Sequence, residues 1–298
     1  MAARPIILDT DVGTDVDDAF AIALAARSPE LKLEAVTTVF GHVTRRARMA
    51  RKLLDLLDQS AVPVARGMES PITPGKEVYW GGWEGEGFLS TGDESLPLDP
   101  RNGVDLICDL LETAAEPITL VAIGPLTNIA TVILLRPDLL PAIDEIICMA
   151  GTIVPGQEEW NVQCDPEAAR IVFQSGLPIT LGTRFIVNQP RLTQLHRQRL
   201  AARCDDPAVH ALVAMLDVFL DRKQRDSTPM YDPVTLSMAF TEKFVQTQAM
   251  AVAVQLEDGV LHLTPQPSGE PNMHISVGVQ PELFVDALVD RLLGQHEQ

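Results

Sequence analysis

Short apolar runs alternate along the chain with longer stretches in which apolar residues recur every three or four positions. The runs are rich in β-branched residues and predict buried strands; the longer stretches predict helices with one apolar stripe. Strands are predicted at residues 5–8, 33–40, 62–65, 118–123, 145–149 and 178–181. Helices are predicted at 17–26, 44–57 and 104–115. In the second of these, Met49, Leu53, Leu54 and Leu57 share a stripe. Thr127 is placed to cap a further helix after the turn Gly124-Pro125-Leu126. Asp165-Pro166-Glu167 opens another in cap and first-turn-proline order, ending at Gly176. Residues 190–226 read as mostly helical, 244–254, 260–263 and 274–279 as strands, and 281–293 as a closing helix. This alternation predicts an α/β fold: a single open, mostly parallel twisted sheet with helices on both faces. No linker or internal repeat interrupts it, so residues 1–298 read as one domain. Residues 66–103 form a long Gly/Pro-punctuated loop carrying Trp80 and Trp83, a length expected of a functional loop or lid.

Composition narrows what such a fold can do. The 298 residues are 46% hydrophobic and 21% charged, which excludes a disordered or low-complexity chain. No apolar run approaches the ~18 residues of a membrane span, and the first is too short for a secretory leader. With 41 acidic against 23 basic residues, the net charge of −18 makes nucleic acid and anionic membranes poor partners. The basic cluster Arg45, Arg46, Arg48, Arg51 and Lys52 reads as a solvated helix face. Cys108, Cys148, Cys164 and Cys204 have no metal-ligand spacing and read as reduced thiols of a cytoplasmic protein.

The strongest chemical signal follows the first predicted strand. Asp9, Asp11, Asp15, Asp17 and Asp18 put five carboxylates in ten residues, with no Lys or Arg between Arg4 and Arg27. Carboxylates this close raise one another's pKa unless a positive charge compensates, and a hard divalent cation is the simplest compensator. Ligands of open α/β sheets bind beyond the carboxyl ends of the strands, where this segment lies. The bland alternative is a solvated acidic loop, with Asp17 and Asp18 favouring a helix N-terminus. An EF-hand loop is excluded because Gly13 occupies its fifth position. Gly13 also stands where an aspartyl-phosphatase pattern would carry Thr or Val.

Asp9-Thr10-Asp11-Val12-Gly13, closed by Asp17-Asp18-Ala19, resembles the N-terminal signature of the inosine-uridine-type nucleoside hydrolases. Four further segments resemble that family in the right order. They are Ala35-Val-Thr-Thr-Val-Phe-Gly41, Leu120-Val-Ala-Ile-Gly-Pro-Leu-Thr-Asn-Ile-Ala130, Glu159-Trp160-Asn161 with Asp165-Pro-Glu-Ala-Ala169, and Tyr231-Asp232-Pro233. The resemblance implies a Rossmann-like sheet with a calcium site at its C-terminal strand ends. It implies Asp11, Asp18, Asp232 and the Ile123 carbonyl as calcium ligands, Asp17 as general base, and Glu159 with Asn161 on the ribose 5′-hydroxyl. It also implies a ribonucleoside substrate and a homodimer or homotetramer.

The chain departs from the family pattern in places. Two extra residues around Thr14 to Val16 add Asp15; His42 replaces a common Asn; Tyr231 stands where His is common; and the loop from Tyr79 to Gly87 lacks a His-Gly pair. Trp80, Trp83 and Tyr231 are the aromatic groups left to face a base. Stacking by Trp83 and Tyr231 predicts a purine preference. Read alone, Asp232 before Pro233 fits a helix cap, His42 a structural histidine, and the two tryptophans packing anchors. Two rival functions remain at this level: a divalent-metal phosphohydrolase with Asp9 as nucleophile, and a non-catalytic nucleoside- or ribose-binding protein.

Overall fold

The structure, a computed structural model, describes residues 2–203 and 205–295, so the expectation for Cys204 lies outside the described residues. The chain runs β1 (Arg4–Thr10), α1 (Asp17–Ala26), β2 (Leu31–Thr38), α2 (Val43–Leu56), β3 (Val64–Arg66), α3 (Gly103–Thr113), β4 (Ile118–Ala122) and α4 (Thr127–Leu135). It continues through β5 (Ile143–Met149), α5 (Trp160–Cys164), α6 (Pro166–Phe173), β6 (Ile179–Gly182), α7 (Arg184–Val187), β7 (Arg191–Leu192), α8 (Gln194–Ala201) and α9 (Pro207–Lys223). It ends with β8 (Thr228–Pro229), α10 (Tyr231–Ser237), β9 (Val245–Met250), β10 (Val252–Glu257), β11 (Val260–Pro265), β12 (Met273–Val279) and α11 (Pro281–Leu292).

Eight strands form one sheet in the order β3-β2-β1-β4-β5-β6-β12-β9. Every neighbouring pair is parallel except β12 with the edge strand β9. The chain builds outward from β1 to β3, then crosses back to lay β4 on the other side of β1. That reversal makes the carboxyl ends of β1 and β4 a topological switch point, where the connections diverge and leave a crevice.

Both faces of the sheet are covered, which is why its strands read as continuous apolar runs. Ile6, Leu8, Val121 and Ile147 pack with Phe20, Leu53, Leu216 and Phe284 on one face. Their strand neighbours Ile7, Leu120, Ala122 and Ile146 pack with Leu106, Ile129 and Val172 on the other. Among the described residues no helix is long and apolar enough to cross a membrane.

Two local expectations change. Residues 244–254 break after Met250: β9 stays in the main sheet, while β10 pairs only with β11. Asp258 and Gly259, at φ 49° and 78°, make the tight turn of that hairpin, a pair of positive angles that a two-residue hairpin turn requires. Thr127 is the first helical residue of α4, not its cap; its hydroxyl instead donates to Asp165 Oδ2 at 2.7 Å. Asp165 does cap α6, accepting from Ala168 N, and also holds Ile72 N and Thr73 N at the root of the long loop.

Candidate active site

The switch point gathers the acidic residues. Asp11 follows β1 and Ile123 follows β4, with Ile123 N donating to Asp9 O at 2.8 Å. Asp17 and Asp18 are the first two residues of α1, where carboxylates suit the exposed N–H groups and the helix dipole. Asp232 lies one residue inside α10, whose N-cap is Met230, so it is not the cap that its Asp-Pro step suggested. The helix α10 packs on α1, and Asp232 N donates to Asp17 Oδ2 at 3.3 Å. Asp17, Asp18 and Asp232 are all buried, and each offers a carboxylate oxygen within 4.8 Å of the others.

These carboxylates open into a cavity of about 540 Å³. Of the residues selected from sequence, it brings together Asp11, Asp17, Asp18, Ile123, Glu159, Asn161, Tyr231 and Asp232. Glu159 caps the short helix α5 and accepts from Asn161 N, Val162 N and Gly151 N. Asn161 Nδ2 donates to Ile123 O at 2.9 Å and Met149 O at 3.0 Å, tying the ends of β4 and β5 together.

His42, Trp80 and Trp83 do not line that cavity. His42 caps α2, its Nδ1 accepting from Arg45 N. Trp80 lies against the His42 ring and under the Arg46 guanidinium. Trp83 donates Nε1 to Thr14 O at 3.1 Å. The loop is drawn into this position by the buried Glu84, which accepts from Gly81 N, Gly82 N and Thr14 Oγ1. The aromatic walls are instead Tyr79 and Trp160, edge to face at 5.8 Å, with Phe40 and Tyr231. The two-residue lengthening brings Asp15 to the cavity and Thr14 to the long loop.

Arg46 corrects the reading of its cluster as a solvated face. It is 1% exposed, and it donates Nε to Phe40 O and Nη1 to Asp11 O and Val12 O. Arg51 is buried as well, donating Nη1 to Val62 O at 2.6 Å. Charge balance could have singled out Arg46: the acidic run lacks a countercharge, and α2 starts at the same end of the sheet.

Asp9 belongs to the floor rather than the cavity. It is fully buried, and its Oδ1 accepts from Thr37 Oγ1 at 2.6 Å and Asn128 Nδ2 at 2.7 Å. No substrate phosphorus can approach that carboxylate, which removes the structural basis for an Asp9 nucleophile.

Burial pushes these carboxyls above their ordinary 3.8: Asp9 to about 7, Asp11 to about 6 and Asp17 to about 8, with mutual repulsion adding to the effect. Asp18 and Asp232 are raised well above it for the same reasons. An all-oxygen, anionic and buried donor set suits a hard divalent cation, which would supply the missing countercharge.

A carboxyl whose pKa rises on folding supports the fold only while it keeps its proton. In metal-free protein that support is complete below pH 3.8 and is lost as pH climbs through about 6 to about 8. Arg46, Lys223 and Arg225 are the cations acting on this group, and they reduce the loss without cancelling it. Metal-free protein should therefore melt lower at pH 8 than at pH 6, by ~2–4 °C for each kcal/mol lost. Saturating calcium should narrow that gap. Melting curves in chelator and in calcium at the two pH values test this; a higher melting point at pH 8 in chelator contradicts it.

The chain is similar to known nucleoside hydrolases over nearly its whole length. The family model described as inosine-uridine preferring nucleoside hydrolase matches residues 6–286. The pyrimidine-specific ribonucleoside hydrolase RihA of Escherichia coli O9:H4 (strain HS) is 32% identical over 315 residues, covering 97% of this chain and 98% of its own. The structure of a purine-preferring ribonucleoside hydrolase from Gardnerella vaginalis superposes with a TM-score of 0.86 at 26% identity, covering 98% and 99% of the two chains. An inosine-guanosine nucleoside hydrolase superposes with a TM-score of 0.82 at 28% identity, covering 97% and 98%.

Proposed function

The chain belongs to the inosine-uridine preferring nucleoside hydrolase family, and on that premise we propose that it hydrolyses the N-glycosidic bond of ribonucleosides with calcium, giving ribose and free base. Asp11, Asp18, Asp232 and the Ile123 carbonyl would hold the calcium. When bound, such a cation orients vicinal sugar hydroxyls and makes a neighbouring water more acidic. Asp17 takes the proton of the attacking water. Glu159 and Asn161 hold the ribose 5′-hydroxyl. As the bond to the base stretches, the sugar gains oxocarbenium character, and the surrounding carboxylates favour that charge more in the transition state than in the ground state.

The supporting observation is the buried Asp17, Asp18 and Asp232 group opening into a cavity of about 540 Å³ that also contains Glu159 and Asn161. That volume falls in the ~300–1,000 Å³ range of small-molecule sites. Tyr231 keeps its base-facing role, and Tyr79 and Trp160 take the place of Trp80 and Trp83 beside it. Three aromatic faces favour the larger purine ring, so a purine preference is retained. His42, its Nδ1 used in capping α2, lies outside the cavity and takes no part in binding the base. The protein is expected to work as a cytoplasmic homodimer or homotetramer.

Initial rates on inosine, adenosine, guanosine, uridine and cytidine, with and without chelator, test the reading. Release of reducing sugar in calcium and its loss in chelator are expected. No release from any of the five sinks the enzymatic reading, and tight nucleoside binding in its absence favours a binding protein. Faster turnover of uridine than of inosine removes the purine preference alone.

A further inference from the structure

When the glycosidic bond breaks, the base leaves with the bonding electron pair, and a cation or acid has to meet it. Among the described residues no histidine lines the cavity, but three cationic side chains do: Arg46, Arg184 and Lys223. Arg46 is spent on the carbonyls of Phe40, Asp11 and Val12. Arg184 donates Nη1 to Glu158 O at 2.7 Å. The ammonium of Lys223, the last residue of α9, makes no hydrogen bond within the described residues. Its Nζ stands 4.9 Å from the centre of the Trp83 ring. Lys223 is also the cation that acts most strongly on Asp15, the carboxylate introduced by the longer acidic loop.

A cation over an aromatic face is held in place by the ring's quadrupole while its N–H groups remain free to donate. Trp83 is itself anchored to Thr14 O, and Glu84 ties the neighbouring glycines to Thr14 Oγ1. The ring that looked like a base-stacking group in the sequence thus supports an ammonium on the cavity wall.

We propose that Lys223 stabilises the departing base, donating a hydrogen bond to an acceptor on its edge, with Trp83 as the positioning residue. This rests on the nucleoside hydrolase reading above. The C1′–N bond breaks with its electron pair going to the base nitrogen. Water adds its hydroxyl to C1′ and gives its proton to a carboxylate, and the base takes up one proton from solvent, so nucleoside plus water balances ribose plus neutral base. Lys223 keeps its proton throughout and acts by charge and hydrogen bonding. Such a donor favours bases with a carbonyl at the edge, O6 of a 6-oxopurine or O4 of uracil. The amino group in the same place on adenine or cytosine is itself a donor. Lys223 therefore selects oxo-nucleosides over amino-nucleosides, whatever the ring size.

The test compares inosine with nitrophenyl riboside, whose nitrophenolate departs without help. Lys223→Met should lower kcat/KM for inosine by about 10²–10³, the usual cost of one transition-state donor, and for nitrophenyl riboside by no more than about threefold. The inosine-to-adenosine ratio should fall with it. Lys223→Arg should recover most of the inosine rate, and Trp83→Leu should show the same substrate pattern at smaller amplitude. Equal losses on both substrates, or an unchanged inosine rate in Lys223→Met, overturn the role of Lys223 while leaving the hydrolase reading intact. A wild-type protein that cleaves neither substrate overturns both.

Discussion

Asp17→Asn is expected to leave the protein folded and able to bind calcium while lowering kcat by about 10²–10⁴, the range for loss of a general base. The amide is nearly isosteric with the carboxylate and keeps an oxygen that can accept from Asp232 N, so the contact between α1 and α10 survives. What it cannot do is take a proton from water. Asp17 also stands within ligand distance of Asp18 and Asp232, so the experiment has to read cation affinity beside rate. Calorimetric calcium titration and steady-state turnover on the same preparation do this. Asp11→Asn and Asp15→Asn serve as comparators. If Asp11→Asn binds calcium normally and loses turnover while Asp17→Asn loses calcium, the two residues exchange roles. If Asp15→Asn alone shows the rate loss, the longer acidic loop shifts the assignment by two residues.

Replacing Asp232 with Ala should reduce calcium affinity by more than about 10²-fold, since removing even a residue that only supports a metal ligand costs about 10–100-fold. Activity at micromolar calcium should fall in parallel and return in part at millimolar concentrations. The same change should act oppositely on the metal-free protein. Asp232 is 5% exposed and repelled by Asp17, Asp18, Asp11 and Asp15, so its removal relieves a buried charge cluster. Metal-free Asp232→Ala should therefore melt higher than metal-free parent at pH 8, and the calcium-induced rise in melting temperature should shrink or vanish. Normal calcium affinity and full activity in this variant would remove Asp232 from the ligand set.

Much of the architecture was legible in the one-dimensional pattern because both faces of the sheet are covered. Continuous apolar runs such as Ile6 to Leu8 and Leu120 to Ala122 leave little choice but a buried strand. The acidic run was equally plain, since five carboxylates in ten residues demand a countercharge wherever they sit. Short elements were not legible. Tyr231–Ser237 has too few residues to show a helical period, and its identity as α10 comes from packing on α1.

The order of the strands was decided in three dimensions, because parallel neighbours are joined by crossovers whose direction leaves no mark on the sequence. That order sets β1 beside β4 and so brings Asp11 and Ile123 together across more than a hundred residues. Side-chain direction was decided there too. Arg46 turns inward because the acidic loop and the carbonyls of Phe40 and Val12 offer it partners that water would otherwise supply. Trp83 turns away from the cavity because Glu84 and Thr14 hold its loop down, leaving Lys223 on the wall. Residue type and spacing determined which chemistry the chain carries. Which of those groups meet depended on long-range packing and hydrogen bonding, whose partners are far apart in sequence and follow no local period.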